Sequence, residues 1–261
     1  GFYVSDWLDI ERLETLHRVA RNFKEATFLA VDAGIDMHMH GPDFPKLVVE
    51  LVNEGKLSEE RVNYACSKIL EAKFKLGLFE NRFVNENKIL DKIFNISHTN
   101  TALKIARESV VLLKNNSILP LKLSQDSINK ILVTGPNSNN QSILGDWHNP
   151  QPEENVFTVY EGIEKIGTEM GYIVDHFEFN ENIKKISNDD IDKTIEVANQ
   201  YDIIFVVVGD NSMRYKWKQK TAGENTARTE LNLAGKQLDL VMKLKDTGKN
   251  IIVLYVNGRP I

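Results

Sequence analysis

Cysteine is almost absent from this sequence: Cys66 is the single one among 261 residues, which excludes an intrachain disulfide. Long apolar runs are lacking too, because no stretch of eighteen or more apolar residues occurs, and so no membrane span is expected. Positive charge is not in excess, since the net charge is −5 at neutral pH. An acidic chain is a poor partner for nucleic acid. The sequence therefore favours a small or neutral partner, with no membrane and no nucleic acid.

A secretory signal is also missing, since the N-terminus has no basic segment followed by an apolar one. The chain begins, however, inside a predicted strand and ends just after another, so we expect both ends to lie within a longer polypeptide. The compartment therefore stays open: a periplasmic or secreted protein and a cytoplasmic one both fit the sequence.

The first 80 residues alternate between strand and helix patterns. Residues 2–4 and 34–37 are short apolar segments typical of buried strands, and helical periodicity follows each of them. Ser58 is placed to cap the helix that runs toward Gly77. This alternation is typical of a (β/α)8 barrel. Residues 81–100 are polar and weakly periodic, which predicts a linker between two domains.

The second half begins with a predicted helix from Leu103 to Leu113. Four short apolar runs follow, with helical patterns between them: 131–135, 172–174, 203–208 and 251–256. Continuous β-branched runs are typical of parallel strands buried on both faces. We therefore predict an open α/β layer with helices on both sides. Sites in such sheets gather at the carboxyl ends of the strands, here 135–147 and 209–228.

Asp6 and Trp7 stand where the first strand gives way to a helix. A carboxylate can attack the anomeric carbon of a sugar, and an indole can stack on the apolar face of a pyranose ring. Glu224 lies on a long polar loop after the buried strand 203–208, from which a carboxylic acid could reach into a facing domain. The pattern is chemically coherent for cleavage of a glycosidic bond, although each residue alone is also compatible with a surface role.

Three other patterns support different functions. His38 and His40 form an HxH pair beside Asp43 that, on a barrel, could bind zinc. The loop 135–140 after a strand has neither the spacing nor the lysine of a phosphate-binding loop. Residues 216–220 interleave basic residues with Trp217, which we interpret as a mobile loop over a cleft rather than a nucleic-acid contact.

Several ordered motifs resemble glycoside hydrolase family 3, the β-glucosidase and β-xylosidase group. They are GFYVSDW at 1–7, AGIDM at 33–37, KFKLGLF at 73–79, ARESVVLLKN at 106–115, LPL at 119–121, GDW at 145–147, GE at 223–224 with Arg228, and NGRP at 257–260. They span essentially the whole chain in the order of the family.

The resemblance implies a fold and a reaction. Residues 1–80 would be the C-terminal part of a (β/α)8 barrel, and 101–261 an α/β sandwich domain with a mostly parallel sheet, incomplete at its C-terminus. The family reaction is retaining hydrolysis of terminal β-linked glucose or xylose by an exo-acting enzyme, without metal or organic cofactor. The substrate would be an oligosaccharide or a glycoside, and the rest of the barrel would come from the same polypeptide or another chain.

By the same resemblance, the nucleophile falls on Asp6 and the acid/base residue on Glu224, so that separate domains supply the two groups. We then expect a raised pKa for Glu224 relative to Asp6. Substrate-binding positions fall on Trp7, Trp147, Met37, His38 and Arg228. Asp210 and Glu230 remain alternatives for the acid/base residue. A noncatalytic carbohydrate-binding relative and a zinc hydrolase remain alternative functions.

Overall fold

The computed structural model describes residues 1–93, 95–122 and 130–260. The chain divides into two compact units, Gly1–Val110 and Val111–Ile261. The assignment of 1–80 to a barrel, 81–100 to a linker and 101–261 to a sandwich domain stays a prediction.

The described part of the first unit is built from helices. In chain order they are α1 (Asp9–Thr15), α2 (Phe23–Asp32), α3 (Phe44–Asn53), α4 (Glu59–Lys75), α5 (Ile89–Lys92) and α6 (Ile96–Ser109). The cap predicted at Ser58 is confirmed, because its hydroxyl accepts a hydrogen bond from the amide of Arg61 at the start of α4. Asn22 caps α2 in the same way.

Two extended segments of the first unit pair in parallel, with Val4 opposite Met37. The amide of Ser5 donates to the carbonyl of Met37, and the amide of Met37 donates to the carbonyl of Tyr3, both at 3.0 Å. Helices α1 and α2 pack on each other around a small buried core of Ile10, Ala20, Ala26 and Ala30. The two sequence segments expected to be strands are therefore neighbours.

The second unit contains a parallel sheet of four strands in the order β2-β1-β3-β4, within the described residues. The strands are β1 (Lys130–Thr134), β2 (Ile173–His176), β3 (Ile203–Gly209) and β4 (Asn250–Val256). The connecting helices are α7 (Val159–Glu169), α8 (Asn188–Ala198) and α9 (Gln237–Asp246). All four predicted strands and the parallel α/β layer are confirmed.

Helices cover both faces of this sheet, as the continuous apolar strands predict. Alternate residues of β3 point to opposite faces: Ile204 and Val206 pack with α8 and α9, whereas Ile203 and Val207 pack on the face that carries α7. The strand order changes direction between β1 and β3. In open α/β sheets, ligand sites form at that point, outside the carboxyl ends of the strands.

One helix is shorter than the sequence predicts. The helical pattern continues to Leu113, but α6 ends at Ser109, and Val110 has an extended backbone with φ −72° and ψ 126°. Two consecutive β-branched residues, Val110 and Val111, favour this extended conformation. Among the helices of the described ranges, none combines the length and apolar character that crossing a membrane requires.

Candidate active site

Asp6 lies at the end of the first extended segment, just before α1. Its side chain is exposed, and its Oδ1 accepts a hydrogen bond of 2.6 Å from the amide of Trp7. The buried Ser5 before it accepts a hydrogen bond from the amide of Met39 at 3.0 Å. Asp6 therefore presents an open carboxylate from a backbone fixed on one side by the neighbouring segment, at the position where the sequence predicts a nucleophile.

Trp7 stacks on His40. The ring centroids are 3.8 Å apart and the planes differ by 17°, while 52% of Trp7 stays exposed. One face of the indole is thus covered by an imidazole. About half of the residue therefore stays accessible, as the predicted sugar-binding role of Trp7 requires.

His38 faces a different set of partners. Its Nε2 lies 3.3 Å from Oε2 of Glu11, its side chain is buried, and its ring packs against Phe44 at 4.5 Å. Met37, the residue before it, is partly exposed. Contact with substrate remains a prediction for both residues, and Met37 is the more exposed of the two. Among the described residues, no group of three or more His, Cys, Asp or Glu side chains is placed to hold a metal ion.

Arg61 supports the segment that carries Asp6. Its Nε and one terminal nitrogen donate to the carbonyls of Val31 and Ile35, both at 2.9 Å. Its other terminal nitrogen forms an ion pair of 3.0 Å with Asp36. The second carboxylate oxygen of Asp36 accepts from the amide of Tyr3 at 3.0 Å. Arg61 thus connects the first turn of α4 to both extended segments.

In the second unit, the loops after β1 and β3 meet at the point where the strand order reverses. The side chain of Asn137 donates to the carbonyl of Asp210 at 3.1 Å, and both residues are buried. The turns at Gly135 and Gly209 have φ values of 106° and 142°, and a Cβ on either would overlap the backbone of the neighbouring strand. Glycine at these two positions lets the loops leave the sheet side by side.

Asp146 is the centre of the cluster that these loops form. Its Oδ1 accepts from the amide of Trp147 at 2.8 Å and contacts Nε of Arg214 at 3.1 Å. Its Oδ2 accepts from Nζ of Lys220 at 3.2 Å and from the amide of Glu224 at 2.7 Å. Burial by itself raises the pKa of Asp146, but the amide hydrogen bond and the two cations outweigh burial and hold the pKa below its ordinary value.

The side chain of Glu224 is 44% exposed and pairs through Oε2 with Arg214. Its backbone carbonyl accepts from Nζ of Lys220 at 3.1 Å. The main chain at Glu224 is therefore held on both sides, by Asp146 and by Lys220, while the carboxyl group reaches solvent. This is a fixed backbone with an accessible acid.

Trp147, predicted to border a sugar subsite, is 73% exposed. The guanidinium of Arg214 lies 3.6 Å from the centroid of its indole, close enough for a cation–π interaction. As with Trp7, one ring face is occupied by a protein group, and the exposed remainder is available to a ligand.

Arg228, also predicted to bind substrate, contacts Oδ1 of the buried Asp210 at 3.2 Å, and its substrate contact stays a prediction. The hydroxyl of Thr221 donates to the same oxygen at 3.0 Å, and Arg259 lies 3.8 Å from the other oxygen. Asp210 thus has cations on both sides, whereas Glu230 is exposed, and both stay alternatives for the acid/base residue.

Arg214 and Lys220 were not predicted as site residues from the sequence. The segment interpreted as a mobile loop is a short 3-10 helix at Arg214–Gln219, followed by a lysine that is only 1% exposed in its side chain. A lysine in a polar segment gives no sign of burial, because its acidic partner, Asp146, is distant in sequence. The motif GDW at 145–147 contained the one available clue, a carboxylate beside an indole.

Comparisons with known proteins agree with this architecture. Residues 110–261 match the model of the glycosyl hydrolase family 3 C-terminal domain. The chain is 32% identical to a lysosomal beta glucosidase of Dictyostelium discoideum, covering 100% of the chain and 32% of that protein. It is 30% identical to a beta-xylosidase of Formosa agariphila, covering 100% of the chain and 36% of that protein.

Among solved structures, a beta-glucosidase of intestinal bacteria involved in saponin metabolism matches with a TM-score of 0.86 and 27% identity, covering 100% of this chain and 38% of that one. The chain thus spans about a third of the length of these relatives. The match of the family model to more than half of the chain confirms the resemblance seen in the motifs. This chain belongs to glycoside hydrolase family 3.

Proposed function

We propose that the protein containing this chain is a retaining, exo-acting β-glycosidase that removes terminal β-linked glucose or xylose from oligosaccharides or glycosides. The observation that carries the proposal is the exposed carboxylate of Asp6 beside the half-exposed indole of Trp7. The relatives are named beta glucosidase and beta-xylosidase, which supports these two sugars.

In the first half of the proposed reaction, Asp6 attacks the anomeric carbon while Glu224, as a carboxylic acid, gives its proton to the departing glycosidic oxygen. A covalent bond between the sugar and Asp6 forms as the bond to the leaving group breaks. The hydrogen bond from the Trp7 amide orients the Asp6 carboxylate at Oδ1, which leaves Oδ2 as the attacking oxygen.

In the second half, water attacks the same carbon, the bond to Asp6 breaks, and Glu224 accepts the proton of the water. Such a mechanism requires the two carboxyl groups to stand roughly 5 to 5.5 Å apart at the bond that is cleaved. We assign Trp7 and Trp147 as platforms for sugar rings, since each presents an indole with one face covered by a protein group.

The proposal concerns the complete protein, because the chain covers about a third of its relatives. We propose that the remaining part of the barrel, on the same polypeptide or another chain, supplies the other groups that grip the sugar. Those groups decide between glucose and xylose.

The test uses the complete protein with 4-nitrophenyl β-glucoside and β-xyloside. Asp6→Ala should lower kcat by roughly 10⁴-fold or more, because the covalent intermediate is lost. Asp9→Ala is the matched control: Asp9 is also an acidic residue near the start of α1, and its ion pair with Arg12 is solvent-exposed, so activity should be unchanged.

A direct readout is labelling with a 2-deoxy-2-fluoro-β-glucosyl fluoride, which slows release of the intermediate. Mass spectrometry should then find the sugar on the peptide that contains Asp6. Undiminished turnover in Asp6→Ala, or a label on another residue, would overturn the assignment. A wild-type protein that binds these glycosides without turnover would instead be a noncatalytic carbohydrate-binding relative.

A further inference from the structure

Arg214 makes three contacts that no motif of the sequence predicts. Its Nε lies 3.1 Å from Oδ1 of Asp146, a terminal nitrogen pairs with Oε2 of Glu224, and its Cζ lies 3.6 Å from the centroid of the Trp147 ring. One planar cation thus touches a partly buried acid, an exposed acid and an indole at the same time.

The arginine is anchored from the side of Asp146, not from Glu224. Asp146 is largely buried and is itself held by the Trp147 amide and by Lys220. Glu224, by contrast, has a side chain that is nearly half exposed. A free glutamate on a surface loop samples several rotamers, so a fixed partner is needed to hold it in one of them.

We infer that Arg214 is a positioning residue that holds the carboxyl group of Glu224 in the orientation needed for proton transfer to the leaving group. This inference rests on the proposed function. A guanidinium suits the task because its rigid fork can bind two carboxylates in fixed directions, which the single ammonium of lysine cannot do.

The contact is compatible with both protonation states of Glu224. When Glu224 is protonated on Oε1, its Oε2 still accepts a hydrogen bond from Arg214, and the O–H bond of Oε1 is directed at the glycosidic oxygen. As the bond from the anomeric carbon to that oxygen breaks, the proton moves to the oxygen. Glu224 enters the second half as a carboxylate, and Arg214 stabilises this ionised form. Its Oε1 then takes a proton from the attacking water.

Leaving groups of different acidity separate this role from a purely structural one. 2,4-Dinitrophenolate departs without a proton, whereas phenolate needs one, so a badly oriented acid harms only the second substrate. In the complete protein, Arg214→Met should lower kcat/KM for phenyl β-glucoside about 10- to 100-fold and change kcat/KM for 2,4-dinitrophenyl β-glucoside less than about 3-fold.

Two further variants complete the experiment. Arg214→Lys keeps the charge but not the fork, so it should show the same selectivity with a smaller loss. Lys218→Met is the matched control, because Lys218 is an exposed cation of the same 3-10 helix, and both substrates should be turned over normally. If Arg214→Met fails to fold in a thermal unfolding scan, Arg214→Lys decides the question.

Glu224→Gln separates failure of this inference from failure of the proposed function. The proposed function requires Glu224→Gln to lower kcat/KM for phenyl β-glucoside far more than kcat/KM for 2,4-dinitrophenyl β-glucoside. If it does, and the Arg214 variants lose both substrates equally or neither, Arg214 is not a positioning residue. If Glu224→Gln itself shows no selectivity while the wild type is active, the acid/base assignment fails, and the inference fails with it.

Discussion

The amide of Glu224 donates a hydrogen bond of 2.7 Å to Oδ2 of Asp146. The same oxygen accepts from the buried ammonium of Lys220 at 3.2 Å, and Lys220 in turn donates to the carbonyl of Glu224. These three contacts close a ring that includes the backbone N–H and C=O of Glu224. The backbone position of the proposed acid therefore depends on a carboxylate that takes no direct part in the reaction.

We expect Asp146→Asn to destabilise the protein by about 3 kcal/mol, because it leaves a buried ammonium without its anion. Urea unfolding at neutral pH measures the loss. Asp239→Asn, an exposed acid in the first turn of α9, is the control and should cost at most about 0.5 kcal/mol. Equal losses in the two variants would contradict the role given to Asp146.

The same variant carries a pH test. Folding lowers the pKa of Asp146 below its ordinary value of 3.8, so its contribution to stability is complete above that value and is lost as the pH falls through the lower pKa of the folded state. The unfolding free energies of the wild type and of Asp146→Asn should therefore differ at pH 7 and converge in acid. A constant difference across this range would show that charge is not the cause.

Gly223→Ala should disrupt the same contacts between Asp146, Lys220 and Glu224. Gly223 has φ +92°, which strains any side chain, and a Cβ there would overlap the carboxylate of Asp146 and approach Nζ of Lys220. Gly248→Ala is a matched control, because Gly248 has a similar φ of +73° but open space around it. We expect the control to lose about 1 kcal/mol and Gly223→Ala to lose at least about 1 kcal/mol more, together with a fall in kcat. Thermal unfolding measures both losses. If Gly223→Ala and Gly248→Ala lower the melting temperature equally, only backbone strain causes the loss of stability.

The central strand β3 could be predicted from sequence because residues 203–209 are a continuous, mostly β-branched run that ends in glycine. Such a pattern reports burial on both faces directly. The end of α6 was missed for a related reason: the apolar period continues past Ser109, but Val110 and Val111 prefer extended backbone. The backbone preference of these two valines ends α6 at Ser109, and the apolar periodicity does not show this.

The candidate site was predictable only in part. Asp6 and Trp7 are adjacent in sequence, so their pattern is visible. Arg214 and Asp146 come from loops after different strands, and only the parallel order of β1 and β3 brings those loops together. A single sequence does not show which cation of a polar loop meets which acid of another. For the same reason, the sequence did not show the contact between Arg228 and the buried Asp210.

Arg61 offers a test in the first unit. Because its guanidinium binds two carbonyls and Asp36, Arg61→Met should destabilise the unit by about 2 to 4 kcal/mol. Arg12→Met removes only an exposed ion pair with Asp9 and should cost less than about 1 kcal/mol. Chemical unfolding measures both. If Arg61→Met costs no more than Arg12→Met, the network does not support the segment that carries Asp6.

The stacking of His40 on Trp7 gives a prediction about substrate binding. The imidazole covers one indole face at a centroid distance of 3.8 Å and so restrains the ring that we assign as a sugar platform. Aromatic pairs of this kind contribute about 0.5 to 1.5 kcal/mol, so His40→Ala should raise KM for an aryl glycoside about 2- to 12-fold with little change in kcat. His17→Ala is the control, since His17 is exposed in the same unit.

Inhibition by the free sugar separates binding from catalysis in this variant. The inhibition constant of glucose or xylose should rise with KM in His40→Ala, because both ligands use the open face of Trp7. Trp7→Ala should raise the same constant further, and His40→Ala should add nothing in that background, since the imidazole acts only through the indole. Additive effects of the two changes would mean that His40 contacts the sugar itself, and the platform role of Trp7 would then lose its structural basis.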